Sequence, residues 1–281
     1  MIEIKDGTGA LLYRHEDGEE SVVAALEAAV EDGVDLSGAF LDDEDLCDLN
    51  VEGGKLERAS FRNARLRDAN FEDARLQGAV FDGASLADSN FENADLRRAQ
   101  LRGCQLRGAN FEDALLDEAD LQNARGSGAN FERASLLAAQ LSAAQFPGSS
   151  FECARLAGAQ LREANLSRSA MDEVDMTEAD LSGCDLRETT LQGAELERAN
   201  LTGARLKHAN LEDARLAHAQ LSDADATEAN FEGADLKGAV LRGLIARRAN
   251  FEDANLAGAT LEGMDAHEAS FEGATGRERF A

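Results

Sequence analysis

Ala69-Asn70-Phe71-Glu72-Asp73-Ala74-Arg75-Leu76-Gln77-Gly78-Ala79-Val80-Phe81-Asp82-Gly83 decides the fold. Every fifth residue is Phe or Leu, and two places before each stands Ala. Working outward in both directions, the register holds from Leu36 to Phe271 without an inserted residue. A period of five matches neither the 3.6 of a helix nor the 2 of a strand. Fixed-period self-similarity instead marks a stacked solenoid, in which one unit cannot bury its apolar side chains without its neighbours.

A second period lies on top of the first. Phe71, Phe91, Phe111, Phe131 and Phe151 are twenty residues apart, and Phe231, Phe251 and Phe271 resume the column after Met171, Leu191 and Leu211. Four pentads per turn place these rings on one face. The unit small-x-(Leu/Phe)-x-x, as in Ala69-Asn70-Phe71-Glu72-Asp73, resembles the pentapeptide-repeat family over residues 36–275. The resemblance implies an all-β solenoid, a right-handed quadrilateral parallel β-helix of about twelve coils. At ~4.8 Å per coil these would stack to ~58 Å.

Residues 1–35 lack the pentad and read as an N-terminal cap. Ile2 to Asp6 and Ala10 to His15 form a hairpin signal around Gly7-Thr8-Gly9. Asp17 with Glu20 fits a capping box, followed by a helix whose stripe is Val22, Val23, Leu26 and Val30 and which stops at Gly33. The expected organisation is therefore cap 1–35, β-helix 36–275 and a tail 276–281.

The chain carries 55 acidic and 28 basic side chains, a formal charge of −27. Removing the cap (−8) and the last six residues (+1) leaves −20 on residues 36–275. That is one net charge per ~3 Å, against one per ~1.7 Å for duplex DNA. The charge is sided. After the Phe column come Glu72, Glu92, Glu112, Glu132, Glu152, Glu212, Glu232, Glu252 and Glu272, joined by Asp213 and Asp253. Asn70, Asn90, Asn110, Asn130, Asn210, Asn230 and Asn250 precede that column and form a ladder of amides. Another face, with Arg67, Arg107, Arg187, Lys207, Arg247 and Arg248, is more basic. Negative charge also keeps a repetitive solenoid soluble, so each single carboxylate has a purely structural explanation.

Catalytic constellations are not expected. The four histidines, His15, His208, His218 and His267, are spread along the chain, and no metal-ligand spacing or phosphate-binding loop is present. Four cysteines, two of them at small inward positions (Cys104, Cys184), read as reduced thiols. No apolar leader or membrane-length run is visible, so a cytoplasmic location without a membrane or cofactor is expected. Direct nucleic-acid binding is disfavoured by charge.

The family resemblance further implies a non-enzymatic acidic rod that mimics duplex DNA and binds a type II topoisomerase, DNA gyrase or topoisomerase IV. It also implies a homodimer joined at the C-terminal end, where Leu261, Met264, Phe271 and Phe280 would meet their equivalents. The alternatives are a monomer with a folded-over tail, and a scaffolding solenoid that uses its Arg67–Arg107–Arg187 face.

Overall fold

The computed structural model describes residues 1–16 and 21–276. Contacts divide the chain into two compact units, Met1–Gln140 and Leu141–Ala281.

The first unit opens with a hairpin of β1 (Ile2–Lys5) and β2 (Leu11–His15), paired antiparallel from Ile2↔His15 to Lys5↔Leu11. Asp6 shapes the turn: its Oδ1 accepts the N–H groups of Thr8 and Ala10, both at 2.9 Å. Helix α1 (Val22–Glu31) follows, capped by Ser21, whose hydroxyl accepts from Ala24 N–H. The expected cap was Asp17, and Asp17–Glu20 lie outside the described residues. Ser is as good an N-cap as Asp, and Ser21 stands immediately before the first apolar residue. The buried stripe also differs from expectation. It is Ala25, Leu26 and Ala29, with Val22, Val23 and Val30 half-buried. Small side chains on that face let the helix lie close to its neighbours. Gly33 (φ 70°) ends the helix, with Gly33 N–H on Val30 C=O and Val34 N–H on Ala29 C=O. Both are the bonds of a Schellman motif.

Within each unit the pentads repeat one device. The residue before the central Phe or Leu makes a parallel bridge to the residue twenty places on, as in Asn50↔Asn70 and Asn70↔Asn90. A turn follows, closed by the central carbonyl, as in Ala74 N–H to Phe71 C=O at 3.0 Å. All 48 corners after that residue have φ between 54° and 75°, and 30 of them are not glycine.

This accounts for the backbone polar groups of a pentad, which must be satisfied if buried. In Asn70–Ala74, Asn70 N–H donates to Leu49 C=O, Phe71 N–H to Asn90 C=O, and Asp73 N–H to Glu92 C=O. Ala74 closes the turn, which leaves Glu72 N–H. That one goes to the Asn70 side chain at 3.2 Å. Asn or Asp before the central residue is thus part of the fold.

The core is one column of side chains per face. Phe61–Phe81 and Phe71–Phe91 stack with centroids 4.8 Å apart, and Phe61 meets Phe71 edge-on at 5.8 Å. Both geometries are favoured for aromatic pairs.

The second unit repeats the scheme from Gln145↔Asn165 to Asn255↔Thr275. Its Phe231–Phe251 and Phe251–Phe271 rings stack at 4.8 and 5.0 Å. Ala226 and Ala246 replace larger central residues and remain fully buried.

Candidate functional site

The acidic column grows directly out of the pentad turn. Each Glu after a central Phe occupies the first outward corner of the turn, and the next residue occupies the left-handed corner. Asn stands at the bridging position just before. The amide ladder forms in each unit: Asn70 to Asn50, Asn90 to Asn70, Asn110 to Asn90 and Asn130 to Asn110, at 2.9–3.1 Å. Asn230 to Asn210 and Asn250 to Asn230 repeat it at 2.9 and 3.0 Å.

The ladder also holds the carboxylates, a link that sequence reasoning missed. Asn90 Nδ2 donates to Glu72 Oε2 (3.2 Å), Asn130 to Glu112 (3.2 Å) and Asn250 to Glu232 (3.1 Å). Ser270 Oγ does the same for Glu252 at 2.8 Å. The signal was an Asn eighteen residues beyond a Glu, which the twenty-residue coil brings alongside. Charge-assisted bonds of this kind fix the orientation of the acid.

The two units differ electrostatically on this face. In Met1–Gln140, Arg133 bridges Asp113 at 2.9 Å and also reaches Glu112 and Glu132, so the column is clamped there. In the second unit the face carries Glu152, Asp172, Glu173, Glu212, Asp213, Glu232, Glu252, Asp253 and Glu272, and among the described residues no Lys or Arg at an outward position. Among the described residues none of these nine has a basic nitrogen within the 4.0 Å of an ion pair. Glycine makes room for two of them: a Cβ on Gly233 or Gly273 would collide with the carboxylate of Asp213 or Asp253.

The basic face is less available than its sequence implies. Arg67 pairs with Asp68, Arg107 with Asp88 (2.8 Å), Arg187 with Asp185 (2.6 Å) and Arg247 with Asp265 (2.6 Å), and Arg248 pairs with Glu228. Burial raises the Asp185 pKa, but hydrogen bonds from Arg187 outweigh it and hold the carboxyl below its usual range.

Cys104 and Cys184 fill inward positions and are buried. Burial pushes each thiol up to about 12, and each Sγ lies 2.8 Å from a carbonyl oxygen, of Phe81 and Leu161 respectively. Among the described residues no group of three His, Cys, Asp or Glu side chains could hold a metal. His208 faces Glu228 at 3.2 Å and His267 faces Glu268 at 3.5 Å. No helix among the described residues is long and apolar enough to cross a membrane.

At the end of the second unit, Leu261, Met264, Ala266, Ala269 and Phe271 are partly exposed. Their counterparts one coil earlier, Leu241, Leu244, Ala246, Ala249 and Phe251, are buried. Phe280, expected beside them, lies outside the described residues.

No curated protein matches the chain. Among solved structures, HetL from the cyanobacterium Nostoc sp. strain PCC 7120, a protein of heterocyst differentiation regulation, is 29% identical. It covers 78% of this chain and 91% of its own, with a TM-score of 0.30. Trypsin-treated QnrB1, a plasmid-mediated fluoroquinolone resistance protein, is 17% identical over 71% of this chain and 89% of its own, TM-score 0.42. A protein of the Arabidopsis thaliana thylakoid lumen is 26% identical over 41% and 67%, TM-score 0.30. The family description "Pentapeptide repeat region" matches residues 44–121. "Pentapeptide repeats (8 copies)" matches 114–152, 139–178, 179–216, 204–243 and 245–275. With only residue 244 unmatched between 44 and 275, and the five-residue turn present in every one of those pentads, the chain belongs to the pentapeptide-repeat family.

Proposed function

We propose that this chain is a non-catalytic binding protein whose acidic face stands in for the phosphates of duplex DNA on a type II topoisomerase. One observation carries the reading: on the described residues from 141 onward this face holds no base and carries nine carboxylates on six of its seven coils, the coil of Gln192 having none. Seven coils at ~4.8 Å give about one carboxylate per 4 Å, within a factor of about three of the axial charge density of DNA. Unpaired charges project a field that paired ones do not, and such a field steers a DNA-binding cleft towards the protein. Hydrogen bonds from Asn250 and Ser270 occupy one oxygen each of Glu232 and Glu252, so these acids are oriented before a partner arrives. Type II topoisomerase is the enzyme class to which the sequence resemblance points. Two chains would associate through the partly uncovered coil at Leu261, Met264 and Phe271.

A contact through the Arg67, Arg107 and Arg187 face is the weaker reading, because each of these arginines already has a carboxylate partner.

The test is gyrase supercoiling with titrated protein, with and without a quinolone, at two salt concentrations. Inhibition or protection that fades with salt is expected. Replacing Glu212, Glu232 and Glu252 by Lys together is expected to abolish it without loss of the fold. A triple variant as active as wild type would sink the reading.

A further inference from the structure

We propose that a groove between β1 and the first coil receives an extended, positively charged segment of a partner protein, with an apolar side chain seated on Phe40. This goes beyond the acidic face, which lies on other residues.

Phe40 is 56% exposed. It occupies a bridging position whose next equivalents are Ser60, Val80, Gln100 and Asp120, so its ring is the one aromatic group in that early column. The ring borders a cavity of about 420 Å³, with Ile4, Val22 and Leu41 among the other apolar walls. The fold does not require an aromatic residue on the outside here, and a hydrophobic wall costs solubility unless something covers it.

The second element is a strand edge. β1 has β2 on one side only. On the other side the first coil meets just its end, through Phe40 N–H to Lys5 C=O (2.9 Å) and Gly7 N–H to Gly38 C=O (3.2 Å). Among the described residues no strand pairs with Ile2–Ile4 on that side. An open edge beside an apolar wall is the arrangement that captures an extended peptide by adding a strand.

Charge selects the occupant. Between Arg14 and Lys55 the sequence holds no Lys or Arg and fourteen Asp or Glu. The groove's own cation, Lys5, is tied to Glu3 at 2.8 Å, and Arg14 is tied to the same carboxylate at 2.9 Å. Asp6 and Glu44 line the groove and, among the described residues, neither has an ion-pair partner. A basic segment is attracted and an acidic one repelled. The same charge opposes a second copy of this surface as the occupant.

The experiment uses the full chain and a fluorescein-labelled Arg-Val-Phe-Val-Arg peptide, with Glu-Val-Phe-Val-Glu as its charge-reversed twin. Saturable binding of the basic peptide alone is expected by fluorescence anisotropy. Phe40→Ser and Glu44→Lys should each weaken it by about tenfold, while Leu115→Ser, at an exposed apolar side chain elsewhere, should not. Amide exchange at Ile2–Lys5 should slow in the peptide's presence. Absence of binding, equal binding of both peptides, or undiminished binding by Phe40→Ser would overturn the proposal. So would binding that leaves β1 exchange unchanged. A wild-type oligomer that Phe40→Ser dissociates would also overturn it, by making a second copy the occupant.

Discussion

Asn250 donates through Nδ2 to the carboxylate of Glu232, one coil away, at 3.1 Å. The same amide nitrogen bonds Asn230 at 3.0 Å, and Asn250 Oδ1 accepts from Glu252 N–H. Amide ladder, turn and acidic column are therefore one lattice, in which each Asn does structural work and also aims a charge.

That lattice makes Asn230 a sensitive position. It donates to Asn210 and accepts from Asn250 and from Glu232 N–H. Asn230→Ala removes all three bonds at a half-buried site, and at roughly 0.5–1 kcal/mol each it should cost about 1–3 kcal/mol. Asn230→Asp keeps the acceptor but loses the donor and sets a second carboxylate beside Glu232. Its loss should be larger at low salt than at high salt, because added ions screen like charges. Urea denaturation at both salts measures this. Equal stability of wild type and Asn230→Ala would show that water replaces the ladder at no cost.

The corners allow a test of opposite sign. Ala138 and Ala143 sit at φ 54° and 58°, where a Cβ is unfavourable and no side-chain bond compensates. Ala→Gly at either site should stabilise by about 0.5–1 kcal/mol. Gly103 (φ 64°) has open space where a Cβ would go, so Gly103→Ala should cost a similar amount through backbone strain alone. Thermal melts of the three variants check the pair of predictions. A uniform absence of change would mean that the stacked coils set the corner geometry without strain.

Much of this was legible in the sequence because the period is rigid. Once Phe71 and Phe91 share a column, every residue between them has an assigned place, so the amide ladder and the acidic column follow by counting. What did not follow were contacts set by side-chain reach. Arg133 clamps three carboxylates because its long side chain spans one coil, and the bare sequence places Arg133 among acids without saying which it binds. The arginines of the basic face looked free for the same reason: Arg187 finds Asp185 only two residues away. In the cap there is no period to count, and there the reading erred, taking Asp17 for Ser21 and a valine stripe for an alanine one. The groove at Phe40 was invisible because it joins residues from β1, α1 and the first coil.

The buried thiols predict a pH dependence. Cys104 and Cys184 keep their protons in the folded state up to about pH 12, whereas an unfolded thiol titrates near 9. The folded state therefore binds more protons above pH 9, and stability falls as pH rises through the window from 9 to 12. Replacing both by Ala, the residue most other coils use there, should flatten that part of the stability curve relative to wild type. Native alkylation offers a second readout, with the exposed Cys153 expected to react and the two buried thiols expected to be spared. Identical alkaline curves for wild type and the double variant would remove the thiols from the account.

The last coil bears on assembly. Leu261, Met264 and Phe271 are partly exposed, while the residues one coil before them are buried. Burying a Leu side chain fully is worth about 1.5–3 kcal/mol, so covering the part these residues still expose contributes a fraction of that to association of two such ends. Sedimentation equilibrium should show a dimer. Leu261→Glu with Met264→Glu should dissociate it, since carboxylates would face each other across the contact, while the melting of the remaining coils stays cooperative. A wild-type chain that sediments as a monomer at all concentrations would end the dimer proposal. It would leave the acidic face to be judged by the supercoiling assay, because the second unit alone carries all nine carboxylates.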